Sequence, residues 1–500
     1  MTLEESRSAL YALQKTLAAY HHALGLLFYD GATTAPRGTA GNRARTMAVL
    51  SEALYRIHTR PETAGLLEEL NAYRAELTER ERRMTDLLCK ETDRLRHIPQ
   101  AEYVAYRQLG VEANAVWREA KVRSDFAAFA PCLRKRFDAS VRIAGYCAPE
   151  KDPYDYWLDS NEEGLDRAFC DAFFDAVRGR VVPLLQRVRE KPLPDNAVLR
   201  GSFGPVEQER LAHRLMDLLG LDRDHVGLST TEHPFTTSLG SHLDGRITTH
   251  YYREDFSYSM FSVIHEGGHA LYNAGSDDSL AYTVLDGGVS MCVHESQSRF
   301  YENYLGRSRA FADYLFPVLR EIFPDHLRPY GAEDFHRAVN RVEPTLIRTQ
   351  ADELTYCLHI LVRYELEKAV MAGELDVADL PAEWNRLYRD YLGVDVPDDR
   401  RGVLQDCHWA DGYLGYFPSY ALGNAYGAQF LRRMKETVDV EACLRRGDLD
   451  PINAWNREHI WRHGRLYRPR DLFEKAAGGP FDPAVYTDYL ERKFTALYNL

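Results

Sequence analysis

The residues best suited to chemistry lie between positions 261 and 272, where the chain reads FSVIHEGGHALY. His265, Glu266 and His269 form an HExxH pattern. On a helix, residues four apart are about 40° apart and one turn along, so both imidazoles can reach one ion, and histidine is a common zinc ligand. Glu266 lies about 100° round from His265. The spacing therefore predicts a metal helix on which Glu266 serves as general base towards a water molecule.

The neighbourhood of this pattern predicts a buried helix. Val263 and Ile264 are apolar, whereas a chance pair of histidines would be expected on a solvated helix. Gly267 and Gly268 each cost roughly 1 kcal/mol relative to alanine within a helix. We therefore expect a strand or a substrate to pack closely against the backbone at these glycines.

A catalytic zinc ion needs a third protein ligand and one open position. Position 275 is glycine, and no histidine follows before His294, which excludes the extended HExxHxxGxxH pattern. Residues 289–304 form a second helical pattern that contains Glu295, 26 residues after His269. This separation leaves room for a loop and a returning helix. His294 and Glu302 are rival ligands on the same segment, so spacing alone leaves the third ligand open.

The elements that must position these residues are mostly helices, because apolar residues recur at steps of three and four along most of the chain. The predicted helices span 3–29, 43–57, 62–95, 101–122, 205–219, 342–372, 427–447 and 482–498. Strand signals are confined to 235–252, where FTTSLG and GRITTHYY predict a short hairpin. Prolines mark breaks near 190–201 and 392–402. The sequence therefore predicts one large, mostly α unit.

Composition excludes several classes of protein. With 62 basic and 75 acidic residues, the net charge of −13 argues against a nucleic-acid binder, which needs a basic face. No stretch approaches the ~18 apolar residues of a membrane span, and the opening residues do not resemble a secretory signal. The eight cysteines are scattered without a CxxC pair, so we expect them to be reduced. These features predict a cytoplasmic location with no membrane partner.

Five motifs occur in order along the chain. They are DxRxT at 244–248, HExxH at 265–269, HES/GQ at 294–297, IRxxAD at 347–352 and GxxQDxHW at 402–409. With them the sequence resembles the M32 family of metallocarboxypeptidases, the carboxypeptidase Taq type. Near the N-terminus it departs from the family, since FYDGATTAP stands where a WD-x-x-T-x-M-P stretch is usual. That segment carries none of the predicted catalytic residues.

The resemblance implies a metal site, a fold and an activity. Glu295 would be the third zinc ligand beside His265 and His269, and cobalt could substitute for zinc. Residues 1–500 would form a single catalytic domain of two helical lobes around a deep groove, as in the neurolysin and angiotensin-converting-enzyme group, with the small hairpin near the zinc helix. Members are usually homodimers. They remove C-terminal residues one at a time, with broad specificity, from peptides with a free carboxylate.

A carboxypeptidase must hold a terminal carboxylate, and the planar fork of arginine suits this task. Arg348, in the predicted helix 342–372, is the leading candidate for substrate binding. The competing interpretation is a structural pair with Asp352, four residues on. Arg401 and Arg246 are second choices, and a salt bridge within the hairpin explains Arg246 equally well.

Three further residues complete the predicted site. His408 and Tyr420, twelve residues apart, resemble the His and Tyr that stabilise the oxyanion in related gluzincins, although Tyr420 could instead belong to an aromatic core. His233 opens the β-rich segment and could line the substrate cleft. Gln405 and Asp406 are predicted to support a metal-bound histidine, because such histidines usually donate to a carboxylate.

The sequence therefore predicts a zinc-dependent carboxypeptidase in which Glu266 activates water. Two alternatives stay open. An endo-oligopeptidase on the same scaffold would need a groove that is open beyond the cleaved bond. A non-catalytic helical scaffold with a structural zinc would need four closed protein ligands, whereas three ligands and a base are found.

Overall fold

The protein is described by a computed structural model that covers all 500 residues, Met1–Leu500. It is mostly α-helical with one small sheet, which confirms the predicted fold class. None of its helices is both long and apolar enough to cross a membrane. The helices are α1 (Leu3–Thr33), α2 (Ala40–Thr59), α3 (Pro61–Ala72), α4 (Glu79–His97), α5 (Gln100–Arg123), α6 (Phe126–Cys147), α7 (Pro153–Asn161), α8 (Arg167–Arg189), α9 (Pro205–Leu219), α10 (Phe256–Ala274), α11 (Met291–Arg299), α12 (Arg309–Ile322), α13 (Pro324–Leu327), α14 (Ala332–Val339), α15 (Tyr356–Met371), α16 (Leu380–Leu392), α17 (His408–Asp411), α18 (Phe417–Met434), α19 (Val440–Arg446), α20 (Asp450–His459), α21 (Pro469–Ala477) and α22 (Pro483–Tyr498).

The chain divides into two compact units, each built from segments that are distant in sequence. Unit 1 consists of Met1–Arg96, Asp195–Val339 and Phe430–Pro480, and unit 2 of His97–Pro194, Asn340–Gln429 and Phe481–Leu500. The HExxH helix α10 lies in unit 1, and the helix α15 lies in unit 2. That residues 1–500 act as a single catalytic domain stays a prediction.

The sheet belongs to unit 1 and has three short strands, β1 (Val226–Thr230), β2 (Thr236–Ser238) and β3 (Gly245–Thr249). Strands β2 and β3 are antiparallel, which confirms the predicted hairpin. Strand β1 pairs with β3 in parallel and was not predicted. Its sequence, VGLST, is short and half-buried, so it lacks the alternation that marks a strand. The sheet packs against α10 through β3 and β2.

Several helix boundaries follow from capping. Helix α9 begins at Pro205 and ends before Gly220, which has a φ of 79°, as predicted. The predicted helix 62–95 is instead two helices, α3 and α4. Thr78 and Glu81 form a capping box that starts α4: the Thr78 amide donates to the Glu81 carboxylate, and the Glu81 amide donates to the Thr78 hydroxyl. The apolar periodicity continues across this break, which is why the sequence suggested one helix.

The predicted helix 342–372 is wrong in its first half, because α15 starts only at Tyr356. Pro344 has no amide hydrogen and biases the residue before it away from the helical conformation, so it disfavours a helix that begins at 342. Asp352 accepts hydrogen bonds from the backbone amides of Glu343 and Thr355 and so closes the segment before α15. The prediction for 427–447 also joined two helices, the end of α18 and all of α19.

Candidate metal centre and active site

The HExxH residues lie on α10, as the sequence predicts. Asp255 caps this helix by accepting a hydrogen bond from the amide of Ser257. Val263 and Ile264 are fully buried, so one face of the helix belongs to the core of unit 1. Burial of this face fixes the helix and leaves His265 and His269 one turn apart on another face.

Neighbouring atoms do pack closely against α10 at the two glycines, as expected, but they belong to two other helices rather than to a strand or a substrate. A Cβ atom on Gly268 would lie 2.8 Å from the carbonyl oxygen of Gln297 and 2.8 Å from the Cα atom of Ser298. Both atoms belong to α11, which carries Glu295. A Cβ on Gly267 would lie 2.6 Å from the side chain of Leu219 in α9. The glycine at 268 therefore allows α11 to approach α10 closely enough to bring Glu295 opposite the two histidines.

The side chains of His265, His269 and Glu295 converge, with one potential ligand atom from each lying within 4.8 Å of the others. The Oε2 atom of Glu295 is 3.9 Å from the Nε2 atom of His265 and 3.7 Å from that of His269. Both histidines thus present their Nε2 atoms to a common point beside a carboxylate oxygen. Two imidazoles and one carboxylate are a donor set that suits a divalent transition metal.

The other ring nitrogens are held by neighbouring side chains. Nδ1 of His265 is 2.9 Å from Oε2 of Glu302, and Nδ1 of His269 is 3.3 Å from Nδ1 of His294. These contacts fix the planes of the two rings. His294 and Glu302, the rival third ligands, therefore lie behind the histidines rather than with the converging atoms.

Glu302, which the sequence offered as a rival third ligand, instead contacts the Nδ1 atom of His265. The carboxylate beside His265 is Glu302, whereas Asp406 contacts two arginines in unit 2, so the prediction that Asp406 supports a ligand histidine is wrong. Glu302 follows Glu295 by seven residues, which is two turns of a regular α-helix, although in the structure Glu302 lies in a π-helical segment, Phe300–Gly306. This spacing was the one signal in the sequence that could have placed Glu302 on the same side of the segment as Glu295.

Two arginines hold the carboxylates in place. The Nε atom of Arg299 donates to Oε1 of Glu295 at 2.7 Å, and its Nη1 atom donates to Oε2 of Glu302 at 2.9 Å. Arg307 donates to the remaining oxygen of Glu302 at 3.0 Å. Because Oε1 of Glu295 is occupied, Oε2 is the oxygen presented to the histidines. The Arg299 and Arg307 guanidiniums also help to hold the pKa of Glu302 well below its usual range, against the opposing effect of burial.

Glu266 lies next to this group and is buried. Burial raises the pKa of Glu266, while the charge of His265 and the hydrogen bond from Thr236 act in the opposite direction. Burial, followed by the nearby charges of His265 and His294, holds the pKa of His269 well below its usual range. His269 is therefore neutral at neutral pH, which is the state that a metal ligand requires.

The other two predicted residues of unit 1 lie beside the hairpin. Arg246 is on β3 and donates to Asp244 across 2.8 Å, while its guanidinium lies 5.9 Å from the centre of the Tyr29 ring. The competing explanation for Arg246, a salt bridge within the hairpin, is therefore present. His233 is exposed in the segment before β2.

Unit 2 brings Arg348, His408 and Tyr420 together. The guanidinium of Arg348 lies 5.1 Å from the centre of the Tyr420 ring, and the Tyr420 hydroxyl is 3.3 Å from Nε2 of His408. Burial, the largest effect, lowers the pKa of His408 to about 4, so this imidazole is neutral at neutral pH. The IRxxAD and GxxQDxHW motifs thus meet in space, although they are more than 50 residues apart.

Arg348 is buried, and its partner is Asp406 rather than Asp352. Its Nη2 and Nε atoms donate to Oδ1 of Asp406 at 2.8 and 3.2 Å, and its Nη1 atom donates to the Tyr356 hydroxyl at 3.3 Å. The structural Arg348–Asp352 pair considered from the sequence is absent. Arg401, by contrast, is exposed and forms a local ion pair with Asp398.

A buried carboxylate in α15, Glu367, holds both ends of the turn that starts at His408. Its Oε1 atom accepts a hydrogen bond from the Trp409 indole at 2.7 Å, and its Oε2 atom accepts from the Gly415 amide at 3.0 Å and the Tyr154 hydroxyl at 2.9 Å. Burial raises the pKa of Glu367 to about 7. The sequence offers no signal for this residue, because its partners are distant along the chain.

Comparison with known proteins agrees with the geometry. The family model of the carboxypeptidase Taq (M32) metallopeptidases matches residues 9–494. Carboxypeptidase 1 of Bacillus subtilis is 37% identical and thermostable carboxypeptidase 1 of Thermus thermophilus 38% identical, each aligned over 100% of both chains. The crystal structure of an M32 carboxypeptidase from Deinococcus radiodurans has a TM-score of 0.96 at 34% identity and covers 99% of this chain and 100% of its own. The chain therefore belongs to the M32 family and is a metallocarboxypeptidase.

Proposed function

We propose that this metallocarboxypeptidase uses zinc, held by His265, His269 and Glu295, to release single C-terminal amino acids from peptides with broad specificity. The observation that carries the proposal is the convergence of two Nε2 atoms and one carboxylate oxygen beside Glu266. Zinc bound there would supply a Lewis acid that polarises the scissile carbonyl and lowers the pKa of water towards 7. Cobalt could fill the same donor set.

Glu266 is the proposed general base. Its carboxylate takes a proton from the attacking water as the new carbon–oxygen bond forms, and then delivers that proton to the amine as the carbon–nitrogen bond breaks. General acid–base catalysis of this kind contributes typically 10²- to 10⁴-fold to rate. Glu266→Gln should retain zinc and lose most turnover, and an active variant would contradict this role.

Arg348 is the proposed anchor for the substrate carboxylate. The three hydrogen bonds to Asp406 and Tyr356 use three of its five N–H groups, which leaves one N–H on each of Nη1 and Nη2. Two such donors side by side can bind a carboxylate bidentately. Arg401, Arg246 and His233 are proposed as weaker contributors to substrate binding.

His408 and Tyr420 are proposed to stabilise the oxyanion that develops on the scissile carbonyl. Their contact across 3.3 Å holds the two side chains as a pair. A neutral imidazole and a phenol have one donor hydrogen each, and the contact between them uses one, so the pair can offer one hydrogen to a developing negative charge. Removal of one such donor typically costs 10²- to 10³-fold in kcat. Tyr420→Phe should therefore lower kcat more than it raises KM.

The test is a timed mass-spectrometric digest of paired free-acid and C-terminally amidated peptides, with and without chelator, followed by re-addition of zinc or cobalt. We expect stepwise loss of C-terminal residues from the free acids only, abolished by the chelator and restored by metal. Internal cuts in both peptide types would favour the endo-oligopeptidase. Absence of cleavage with every metal would favour the zinc-containing scaffold.

We also propose a cytoplasmic location, which the composition predicts, and a homodimer, which the resemblance implies. None of the eight cysteines forms a disulfide, and five of them are buried, in keeping with a reducing compartment. Light scattering coupled to size-exclusion chromatography would test the assembly, because a dimer of a 57.4 kDa chain has a mass of about 115 kDa. A monomer at micromolar concentration would contradict the proposed dimer.

A further inference from the structure

Strand β2 contacts the general base directly. The hydroxyl oxygen of Thr236 lies 2.6 Å from Oε2 of Glu266 and 2.9 Å from the backbone oxygen of the same residue. A threonine hydroxyl has one hydrogen to donate. The carboxylate is the closer acceptor, and hydrogen bonds to ionised acceptors are about twice as strong as neutral ones. Thr236 therefore donates to Oε2 of Glu266, whose carboxylate makes no other hydrogen bond.

The strand that carries Thr236 is itself held firmly. The hydroxyl of Thr248, on β3, accepts a hydrogen bond from the amide of Phe235 at 2.8 Å and lies 3.1 Å from its carbonyl oxygen, to which it can donate. Thr248 is fully buried and is the threonine of the DxRxT motif. Residue 235 immediately precedes Thr236, so this brace fixes the strand at the point where it meets Glu266.

The turn of the hairpin is fixed as well. His242, in the turn between β2 and β3, lies 2.6 Å from Asp286 and 3.2 Å from Asp278, both in the segment that joins α10 to α11. The amide of His242 also donates to Asp286 at 3.0 Å. The hairpin is therefore tied to the same segment that connects the predicted metal-ligand helices, and Thr236 is placed on a rigid support.

We propose that Thr236 is a positioning residue for catalysis: its hydroxyl holds Oε2 of Glu266, so that Oε1 is the oxygen left to accept the proton from water. The inference rests on the proposed role of Glu266. A buried glutamate without this bond would regain rotamer freedom, and its carboxylate would no longer be held in one orientation. Small misplacements of a catalytic group can cost about 100-fold in rate.

The test compares Thr236→Val with Thr236→Ser. Valine keeps the shape and the β-branching but removes the hydroxyl, whereas serine keeps the hydroxyl. We expect Thr236→Val to lower kcat about 10- to 100-fold with KM and zinc content close to wild type, and Thr236→Ser to stay within about threefold. Thr237→Val, the same change at the next position of β2, is the matched control and should leave kcat near wild type.

A double variant shows whether Thr236 acts through Glu266. If it does, adding Thr236→Val to Glu266→Gln should lower the residual rate no further, because the group it positions is already disabled. Wild-type kcat in Thr236→Val, equal damage from the serine variant, or full additivity in the double variant would each overturn the inference. An active Glu266→Gln variant would instead overturn the proposed function, so the two failures can be told apart.

Discussion

Replacing Gly268 by alanine tests how closely α11 must approach α10 for the metal site to form. The added Cβ atom would lie 2.8 Å from the Gln297 carbonyl oxygen and 2.8 Å from the Ser298 Cα atom. Both are backbone atoms of the helix that presents Glu295, so no side-chain rotation can relieve the contact. The helix itself must move.

The size of the movement follows from these distances. Ordinary van der Waals contact begins at 3.4 Å, so restoring it requires α10 and α11 to move apart by 3.4 − 2.8 = 0.6 Å. Metal–ligand distances vary by only about 0.2 Å from their normal values. If Glu295 moved with α11, its carboxylate would be too far from the metal that His265 and His269 hold. Overpacking costs about 1–3 kcal/mol, and the better helix propensity of alanine returns at most about 1 kcal/mol. We expect zinc affinity to fall at least about tenfold, the lower end of the loss when the shell around a metal is disturbed.

Two other glycines serve as controls. A Cβ on Gly267 would meet the end of the Leu219 side chain, which can rotate, so Gly267→Ala should weaken zinc binding much less. A Cβ on Gly41, in α2, would meet nothing within 4 Å. Gly41→Ala should therefore raise the free energy of unfolding by about 0.5–1 kcal/mol without changing zinc affinity.

The assay is a chelator-competition titration of zinc, combined with thermal unfolding of the metal-free and zinc-loaded forms. The wild type should gain more stability from zinc than Gly268→Ala does, because stabilisation by a ligand grows with its affinity. Equal zinc affinity in the wild type and Gly268→Ala would refute the claim that this contact sets the position of Glu295. Equal losses of zinc affinity in the Gly267 and Gly268 variants would refute it as well, because only the new Cβ atom at 268 would meet backbone atoms.

Three further changes test other parts of the molecule. Glu302→Gln weakens the support of His265 and should reduce zinc affinity about 10- to 100-fold in the same titration; unchanged affinity would remove Glu302 from that role. Arg348→Lys keeps the charge but loses the planar fork, so KM for free-acid peptides should rise about 10- to 100-fold, as expected for losing a hydrogen bond to a charged group, and a wild-type KM would contradict carboxylate binding there. Burial raises the pKa of Glu367 from 4.5 to about 7. The protonated Glu367 therefore contributes fully to the free energy of unfolding below pH 4.5, and this contribution is lost as the pH rises through 7. Relative to Glu367→Gln, urea unfolding should therefore show the wild type losing about 3 kcal/mol between pH 4.5 and pH 8, and parallel pH profiles would contradict this.

The sequence was sufficient for the parts of the site that are local. The spacing of His265 and His269, together with the apolar residues Val263 and Ile264 just before them, places both imidazoles on one helix without knowledge of the rest of the chain. Gly268 also carried information, since a glycine in a buried helix indicates a close neighbour. The identity of that neighbour was not predictable, because packing of α11 depends on contacts beyond the local pattern.

The contacts missed from the sequence join residues far apart. Thr236 lies 30 residues before Glu266, and Glu367 lies 42 residues before Trp409, so no helical or strand periodicity relates them. Arg348 was placed on a helix because apolar periodicity does not register the effect of a proline at 344. In the structure Arg348 instead begins a short 3₁₀ helix, Arg348–Gln350, where it meets Asp406, a partner that α-helical spacing could not provide.

The charges around Arg348 support its proposed role as the carboxylate anchor. Asp406 accepts from Arg348 through Oδ1 and from Arg363 through Oδ2, so one carboxylate balances two buried guanidiniums. His408, whose pKa burial lowers to about 4, and His359, whose pKa burial also holds well below its usual range, add no positive charge at neutral pH. Glu367, whose pKa burial raises to about 7, also interacts with Arg363 and is only partly ionised at neutral pH. This group of buried side chains therefore carries a positive charge of up to one unit that Asp406 does not balance, and such a charge is costly to bury alone. The exposed Arg401 has no such unbalanced charge, because it is already paired with Asp398. A peptide carboxylate bound at Arg348 would neutralise the positive charge there.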